Sequence, residues 1–481
     1  MSGAARGTAC LALALLLGGC GAVLDARRTQ REVEGRATGE ARLENASREI
    51  GTNLAAHVAY ALVHRPSMAS AWLAVEDARL ALREIAASAP LASLTPWNAI
   101  GADGTLGHSE SSDSAHFDKL KTRTEGKGTA SLSLDILLYD FGRNAANARA
   151  QAERVVAAEL EATSAGYSVF EDVAEAYFMR LQTAALLEVA LTNAQMRAEH
   201  LEQAEQRLDA GEAKPLDVLR ARLDLAESRE LVVAASNNFE NACATFANTL
   251  GLEASQGREL WAGEPGGADG IRRGFGETHE DAASLFAFAR TNAPACLVSR
   301  ARLRAASAAL DYAIADLRPT VSASVALNWT DPLWYWRWGV NAAQSLFTGW
   351  RRTTAVERAT VALKSAAADV DEAELKLSLA LEIAVEERDN AREAFLTAEA
   401  SVKSARENLE TVSEQLLVGD VSRIEYTDAV ADLMSALANR VKAFYRGQIA
   451  ESKLFALTGR PPRYWQAGEP SGPESPEGEG T

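Results

Sequence analysis

The sequence predicts a mainly α-helical protein built from two copies of one unit, each with a pair of β-strands and a long helical hairpin. Three observations support this fold class. Proline, the strongest helix breaker, is absent between Arg143 and Lys214 and again between Leu333 and Arg460. Both stretches are rich in Ala, Leu, Glu and Arg, which favour helices. The other two observations are an internal repeat and short segments in which apolar and polar residues alternate.

Related motifs recur at a fixed distance of 208 residues. The motif Tyr139–Arg143 resembles the motif Phe347–Arg351 (351 − 143 = 208), and Gly211 precedes Gly419 by the same distance. An offset that stays constant from one motif to the next indicates a duplicated chain with no net insertion over this range. We therefore expect both copies to share one fold.

Apolar residues recur in alternating steps of three and four along both predicted long helices, as in a coiled coil. In the second copy they are Val402, Ala405, Leu409, Val412 and Leu416. The residues 208 positions earlier are Ala194, Arg197, Leu201, Ala204 and Leu208. Arg197 is the member that breaks the pattern. The spacing predicts helices that pack side by side over a long distance.

Each long helix is predicted to end at a glycine, with a second helix after it. Gly211 is followed by Pro215, a residue favoured at the first position of a helix. Gly419 is followed by Ser422, which has the spacing of a capping box with Glu425. The sequence therefore predicts two antiparallel helical hairpins.

Segments with a period of two precede the long helices. Residues 320–329 and 336–343 alternate in this way in the second copy, and residues 131–138 do so in the first. The partner strand of the first copy is expected near residues 90–100. One face of each strand suits lipid and the other suits water. A soluble two-sheet core is the alternative.

Aromatic residues crowd the second strand pair and its connection. They are Trp329, Trp334, Tyr335, Trp336 and Trp338, and we interpret them as an aromatic belt at a membrane interface. After Cys20 the sequence has no helix-forming apolar run long enough to cross a bilayer. Any membrane span would therefore be built from strands.

Residues 1–19 have the pattern of a lipoprotein signal peptide. A short apolar stretch ends at Leu17–Cys20, which resembles a bacterial lipobox. This predicts Cys20 as the lipidated first residue of the mature protein, and Gly21 after it favours the outer membrane. A plain secretory peptide is the alternative.

The remaining boundaries follow from composition. Residues 20–50 would form a lipidated N-terminal segment. The first copy is predicted to span residues 51–262 and the second residues 277–460, joined by a glycine-rich linker at 263–276. Residues 461–481 are predicted to be a disordered acidic tail. Within the first copy, a stretch rich in Gly, Ser and Asp, residues 101–128, is expected to be an exposed loop.

Several kinds of function are disfavoured. The formal net charge of −17 argues against a nucleic-acid partner. The six histidines have no metal-binding spacing, and no nucleotide-binding motif is present. We therefore expect no metal, no cofactor and no enzymatic activity. Cys243 and Cys296 could form a disulfide or remain as small buried thiols.

The duplicated unit, the Tyr139–Arg143 motif and the two turn glycines resemble the TolC family of outer-membrane factors over about residues 50–460. The resemblance implies a TolC-like homotrimer in which each chain gives four strands to a shared 12-stranded β-barrel. A long coiled-coil α-barrel would continue it across the periplasm. It also implies a passive channel for small molecules or secreted protein, working with a periplasmic adaptor (membrane fusion) protein and an inner-membrane pump.

The same resemblance implies roles for four residues. Gly211 and Gly419 would lie at the tips that contact the adaptor, and Glu425 and Asp428 would form an acidic pore constriction. The capping box is a second explanation for Glu425.

The sequence departs from the family pattern at the second helix-opening motif. Thr348 and Trp350 replace the usual Asp and Gly, which disfavours a tight turn there. The rival function is a structural or adaptor lipoprotein, a periplasmic coiled coil without a pore. That function would explain the lipid anchor and the heptads, but not two strand pairs that are each followed by a long helix.

Overall fold

The computed structural model describes nine parts of the chain: residues 54–88, 93–96, 129–211, 214–257, 282–330, 333–345, 347, 349–418 and 421–459. Several sequence predictions lie outside these residues, namely those on Cys20, Gly419, the loop 101–128, the linker 263–276 and the tail 461–481. No helix in the described parts is both long and apolar enough to cross a bilayer.

Both copies contain the same series of elements. In the first copy they are α1 (Leu54–His64), α2 (Pro66–Ser88), β1 (Ser93–Pro96), β2 (Thr129–Tyr139), α3 (Arg143–Asp209) and α4 (Pro215–Thr249). In the second they are α5 (Ala282–Asn292), α6 (Pro294–Ala315), β3 (Thr320–Thr330), β4 (Leu333–Ala343), α7 (Arg351–Val418) and α8 (Arg423–Thr458). Both hairpin helices of the second copy begin 208 residues after their counterparts (351 − 143 and 423 − 215). The predicted duplication is confirmed.

The described residues divide into two compact units. Those within Met1–Arg65, Asp172–Phe275 and Ala394–Tyr445 form the hairpin unit. Those within Pro66–Glu171, Gly276–Glu393 and Arg446–Thr481 form the sheet unit. Each unit takes segments from both copies, so neither copy is a compact body by itself.

The core of the hairpin unit confirms the predicted coiled-coil pattern. Val402 of α7 is buried against Val430 and Leu433 of α8, and Ala405 and Leu409 pack on the same cluster. A smaller cluster joins the end of α3 to the start of α4, and its members are Leu201, Ala204, Leu208, Val218 and Ala221. Small residues at several of these positions let the helix backbones approach closely.

The sheet unit contains one antiparallel sheet with the strand order β1-β2-β3-β4. Directly opposite residues share a face, and the register places Val325 opposite Trp338 and Ala323 opposite Val340. Most of the intervening residues are polar or small, as in the pair Ser324 and Gly339. The predicted division into an apolar and a polar face is therefore present. The partner strand expected near residues 90–100 is β1.

Cys243 and Cys296 do not form a disulfide with one another. Cys243 lies on α4 and Cys296 on α6, and both are buried, which agrees with the buried-thiol interpretation. Cys296 lies in the core of the sheet unit among Leu285, Leu377 and Leu381. Burial raises the pKa of the Cys296 thiol, so it stays protonated and unreactive.

The glycine that ends α8 is predicted to matter more for stability than the glycine at the first hairpin turn. Gly459 and Gly211 both have positive φ angles, 72° and 78°. A Cβ on Gly459 would lie 3.1 Å from the carbonyl oxygen of Asn292, whereas one on Gly211 would meet nothing within 4 Å. Gly211→Ala should lower the free energy of unfolding by about 1–2 kcal/mol, through backbone strain alone. Gly459→Ala should lower it further.

Denaturant titration of detergent-solubilised protein, followed by circular dichroism, would measure both effects. A loss for Gly459→Ala no larger than that for Gly211→Ala would contradict the close packing described at Asn292.

Candidate functional site

The turn that opens each long helix holds an aromatic residue in the left-handed conformation. Phe141 has a φ of 53° and precedes Gly142, whereas Trp350 has a φ of 66° and follows Gly349. Glycine and aromatic residue have thus exchanged places between the copies. Trp350 in place of the usual glycine is expected to disfavour a tight turn, but the chain does turn at Gly349 and Trp350, with a strain of about 1–2 kcal/mol.

A single carboxylate joins the first turns of both long helices. Asp316, directly after α6, lies 3.2 Å from Nε of Arg143 and 3.3 Å from Nε of Arg352. Arg143 also donates a hydrogen bond to the hydroxyl of Tyr312, and this bond raises the pKa of the arginine. Asp140 caps α3 by accepting a hydrogen bond from the backbone N–H of Asn144 at 2.7 Å. These contacts fix the direction in which each long helix leaves the sheet.

The hairpin turns carry equivalent acidic caps. In the first copy the backbone N–H of Lys214 donates to the carboxylate of Asp217 at 3.1 Å. In the second, the backbone N–H of Ser422 donates to Glu425 at 3.3 Å, and the backbone N–H of Glu425 donates to the Ser422 hydroxyl at 3.4 Å. Glu425 therefore does serve as a helix cap.

Glu425 and Asp428 are both exposed on the first turns of α8. Residues three apart lie on the same side of a helix, so the two carboxylates form one acidic patch. Asp428 has no acidic counterpart in the first copy, where the residue 208 positions earlier is Arg220. Gly211 is exposed at the first turn.

Arg197, the residue that breaks the heptad pattern, connects three helices of the hairpin unit. Its guanidinium on α3 donates a 3.2 Å hydrogen bond to the backbone carbonyl of Thr427 on α8. It also lies 3.6 Å from the carboxylate of Asp224 on α4. The side chain is only 10% exposed. Tyr426 lies beside it against His200, and burial raises the pKa of its hydroxyl, which therefore stays neutral.

The apolar face of the sheet is rich in exposed aromatic side chains. Trp336 and Trp338 are 72% and 73% exposed in the single chain. Tyr335 lies opposite Asn328, on the polar face, and so does not share the face of these tryptophans. The backbones of Trp329 and Trp334 are register partners, but their side chains lie outside the described part of the structure.

A β-bulge extends this aromatic surface toward the helices. Leu137 pairs with Ser322 but Tyr139 pairs with Val321, so Leu138 is an extra residue in β2. The bulge moves Tyr139 onto the apolar face, where strict alternation would have placed it on the polar one. Tyr139 packs edge-to-face on Phe141 with ring centroids 4.7 Å apart.

The second copy has an equivalent aromatic pair. Phe347, which lies 208 residues after Tyr139, packs edge-to-face on Trp350 with ring centroids 6.1 Å apart. Both side chains are more than 70% exposed. Each strand pair therefore ends in exposed rings, directly before the long helix.

Comparison with known proteins connects this geometry to a family. A family model described as outer membrane efflux protein matches residues 58–252 and 286–460, more than half of the chain. The chain belongs to the outer membrane efflux protein family. A comparison with curated protein sequences found no match.

Solved structures of similar fold cover most of the chain at low sequence identity. The outer membrane protein VceC from Vibrio cholerae is 19% identical with a TM-score of 0.68, over 84% of this chain and 96% of that one. The CmeC outer membrane channel of Campylobacter jejuni is 16% identical with a TM-score of 0.67, over 85% and 86%. The open state of the Neisseria gonorrhoeae MtrE outer membrane channel is 16% identical with a TM-score of 0.66, over 84% and 88%. At these identities the likeness concerns the fold.

Membership in the outer membrane efflux protein family confirms the predicted resemblance. It gives the chain an outer-membrane channel role, in a family of channel proteins rather than enzymes. Two features of this efflux protein were missed by sequence reasoning. One is the connecting role of Arg197, although its place as the exception in the heptad was a usable signal. The other is the bulge that redirects Tyr139, for which the sequence carries no clear mark.

Replacing Arg197 should destabilise this efflux protein more than replacing an exposed arginine on the same hairpin. Arg222 makes a 2.8 Å ion pair with Glu205, but its side chain is 61% exposed. Arg197→Met removes a buried charged hydrogen bond and should lower the free energy of unfolding by about 1–3 kcal/mol. Arg222→Met should lower it by less than about 1 kcal/mol, because exposed ion pairs contribute little.

Urea titration of both variants beside the unmodified protein would test this difference. Equal losses for the two variants would contradict the role given to Arg197.

Proposed function

We propose that this channel is the outer-membrane component of a tripartite efflux or type I export system, a passive conduit for small molecules or secreted protein. The proposal rests on one observation. Each copy contributes two strands to a two-faced sheet and then continues into a long helical hairpin, and the hairpins of the two copies begin 208 residues apart. No metal-binding cluster occurs among the described residues, and none is needed for passive conduction. In this proposal, energy for transport comes from the inner-membrane pump.

The edges of the sheet support a homotrimer. β1 and β4 are the outer strands of the sheet, and in the described structure each is paired with another strand on one side only. Unpaired strand edges are unfavourable in lipid, where no water can bind the free backbone groups. Three copies that join β1 of one chain to β4 of the next would close a 12-stranded barrel and leave no edge.

The two faces of the sheet support a membrane position for it. The apolar face, with Trp336 and Trp338, would contact the lipid of the outer membrane, and the polar face would line the conduit. Tyr139, Phe347 and Trp350 would lie at the interface on the periplasmic side, since rings are favoured at the level of the headgroups. Residues 333–343 span roughly 25 Å when tilted by about 45°, which equals the height of the apolar band of such barrels.

The hairpin turns are the proposed contact points for the periplasmic adaptor. Gly211 is exposed, and in the second copy Gly419 would lie at the equivalent turn. The nearby acids Glu425 and Asp428 would form rings in a homotrimer, which would favour cations at this constriction. Cys20 would carry the lipid anchor in the outer membrane, with the protein extending into the periplasm.

Conductance across a planar lipid bilayer tests the channel function. The purified protein should conduct ions, and Asp428→Asn should lower its preference for cations because a fixed negative charge is removed. Glu425→Gln retains a cap acceptor, so it tests the charge of Glu425 separately from its role as a helix cap.

Glu425→Ala removes both the charge and the cap, and serves as the matched comparison for Glu425→Gln. If neither the unmodified protein nor the variant with Glu425→Ala and Asp428→Ala conducts, the channel proposal is wrong.

The rival function is a structural or adaptor lipoprotein without a pore. It predicts no conductance and no change of gel mobility on heating, because it has no closed sheet to unfold. The four-stranded sheet and the two in-register hairpins weigh against it.

A further inference from the structure

Arg337 is an exposed charged residue in the middle of β4. It lies four residues after the start of the strand and six before its end, between Tyr335 and Gly339 on the polar face. Its register partner on β3 is Ala326. Within the described residues, no acidic side chain lies within ion-pair distance of its guanidinium. Among the side chains that the structure describes, Arg337 therefore has no counter-ion.

Apart from Tyr335, the nearest described residues on the polar face beside Arg337 are small and uncharged. Ser324 accepts a 3.2 Å hydrogen bond from the side-chain amide of Asn341, so these polar groups satisfy one another. A Cβ placed on Gly339, two residues along the same face, would meet nothing within 4 Å. Asp135, on β2 opposite Ser324, is the other residue of the four strands that is charged at neutral pH. Its strand is separated from β4 by β3.

The position of Arg337 is hard to explain by stability. A cation in the middle of a membrane strand is unfavourable on the lipid side, by about 2–4 kcal/mol at the midplane. On the polar side a cation is tolerated, but Arg337 does not hold any other residue of the described structure in place.

We infer that Arg337 is a fixed cationic site on the wall of the conduit, where it attracts the anionic groups of passing solutes. The ligand class is small anions, including carboxylate, sulfonate and phosphate groups, which a guanidinium binds through paired N–H donors. In a homotrimer three copies would form a ring, and rings of arginine favour anions in pores. The inference rests on the proposed channel function. It adds an anion-selective element in the sheet unit to the acidic patch of the hairpin unit.

Ion selectivity in a planar bilayer measures this charge directly. The full-length protein and the variants Arg337→Lys, Arg337→Gln and Arg337→Glu would be compared under a KCl gradient, through the reversal potential. Arg337→Lys should leave the permeability ratio of K⁺ to Cl⁻ unchanged. Arg337→Gln should raise it, and Arg337→Glu should raise it by about 16-fold for each charge reversed, because a reversed charge about 10 Å away in water favours K⁺ by about fourfold and disfavours Cl⁻ by the same factor.

Thiol accessibility tests the direction of the side chain separately. Arg337→Cys on the polar face should react with water-soluble charged thiosulfonates, and the conductance change should depend on the sign of the reagent. Val340→Cys is the matched control, because Val340 lies on the apolar face of the same strand. The unmodified protein should be insensitive, since Cys243 and Cys296 are buried.

A failure of this inference can be told apart from a failure of the proposed channel function. A conducting channel whose selectivity is the same in all four forms, or whose Arg337→Cys variant does not react, would overturn the inference and leave the channel function intact. Absence of conductance in every form would contradict the proposed function, and this inference with it.

Discussion

The backbone N–H and C=O groups along the outer edges of β1 and β4 have no neighbouring strand within the described structure. In lipid each such group would be several kcal/mol less favourable than a paired one, so the edges must be joined. Four strands are too few to close on themselves around a conduit. Under the proposed function, the two-faced sheet, the turns that open α3 and α7 and the long hairpins would therefore form a working channel only when several chains share one barrel.

Duplication gives the hairpins of the two copies equal spacing but not equal chemistry. The long helices begin 208 residues apart, yet Arg197 has an apolar counterpart in Ala405 and Asp428 has a basic one in Arg220. The two copies share one backbone geometry, which preserves the architecture. Different side chains at equivalent positions give the two copies different roles. The exchange of glycine and aromatic residue before α3 and α7 illustrates this: the turn and its exposed ring pair persist although the residues that form them change places.

Much of this architecture could be predicted because its signals are local and repeated. Proline-free stretches, heptad spacing and a constant offset specify long paired helices, and alternation specifies the faces of β3 and β4. Contacts between distant segments could not be predicted in the same way. The link from Arg197 to Thr427 joins residues 230 positions apart, and the β2 bulge depends on how two strands align. Gly419 and Cys20 lie outside the described structure, so their roles stay predictions.

Disulfide crosslinking between sheet edges tests the central claim, that three chains join β1 to β4. A cysteine at Thr95 would be combined with one at Gly339 or at Asn341, and membranes would be oxidised before a non-reducing gel. Within one chain β1 and β4 are about 14 Å apart, too far for a disulfide, which needs Cα atoms within about 7 Å. The account predicts a covalent trimer for at least one pair and none for the single variants. Monomers in every combination, with the protein present in the outer membrane, would contradict it.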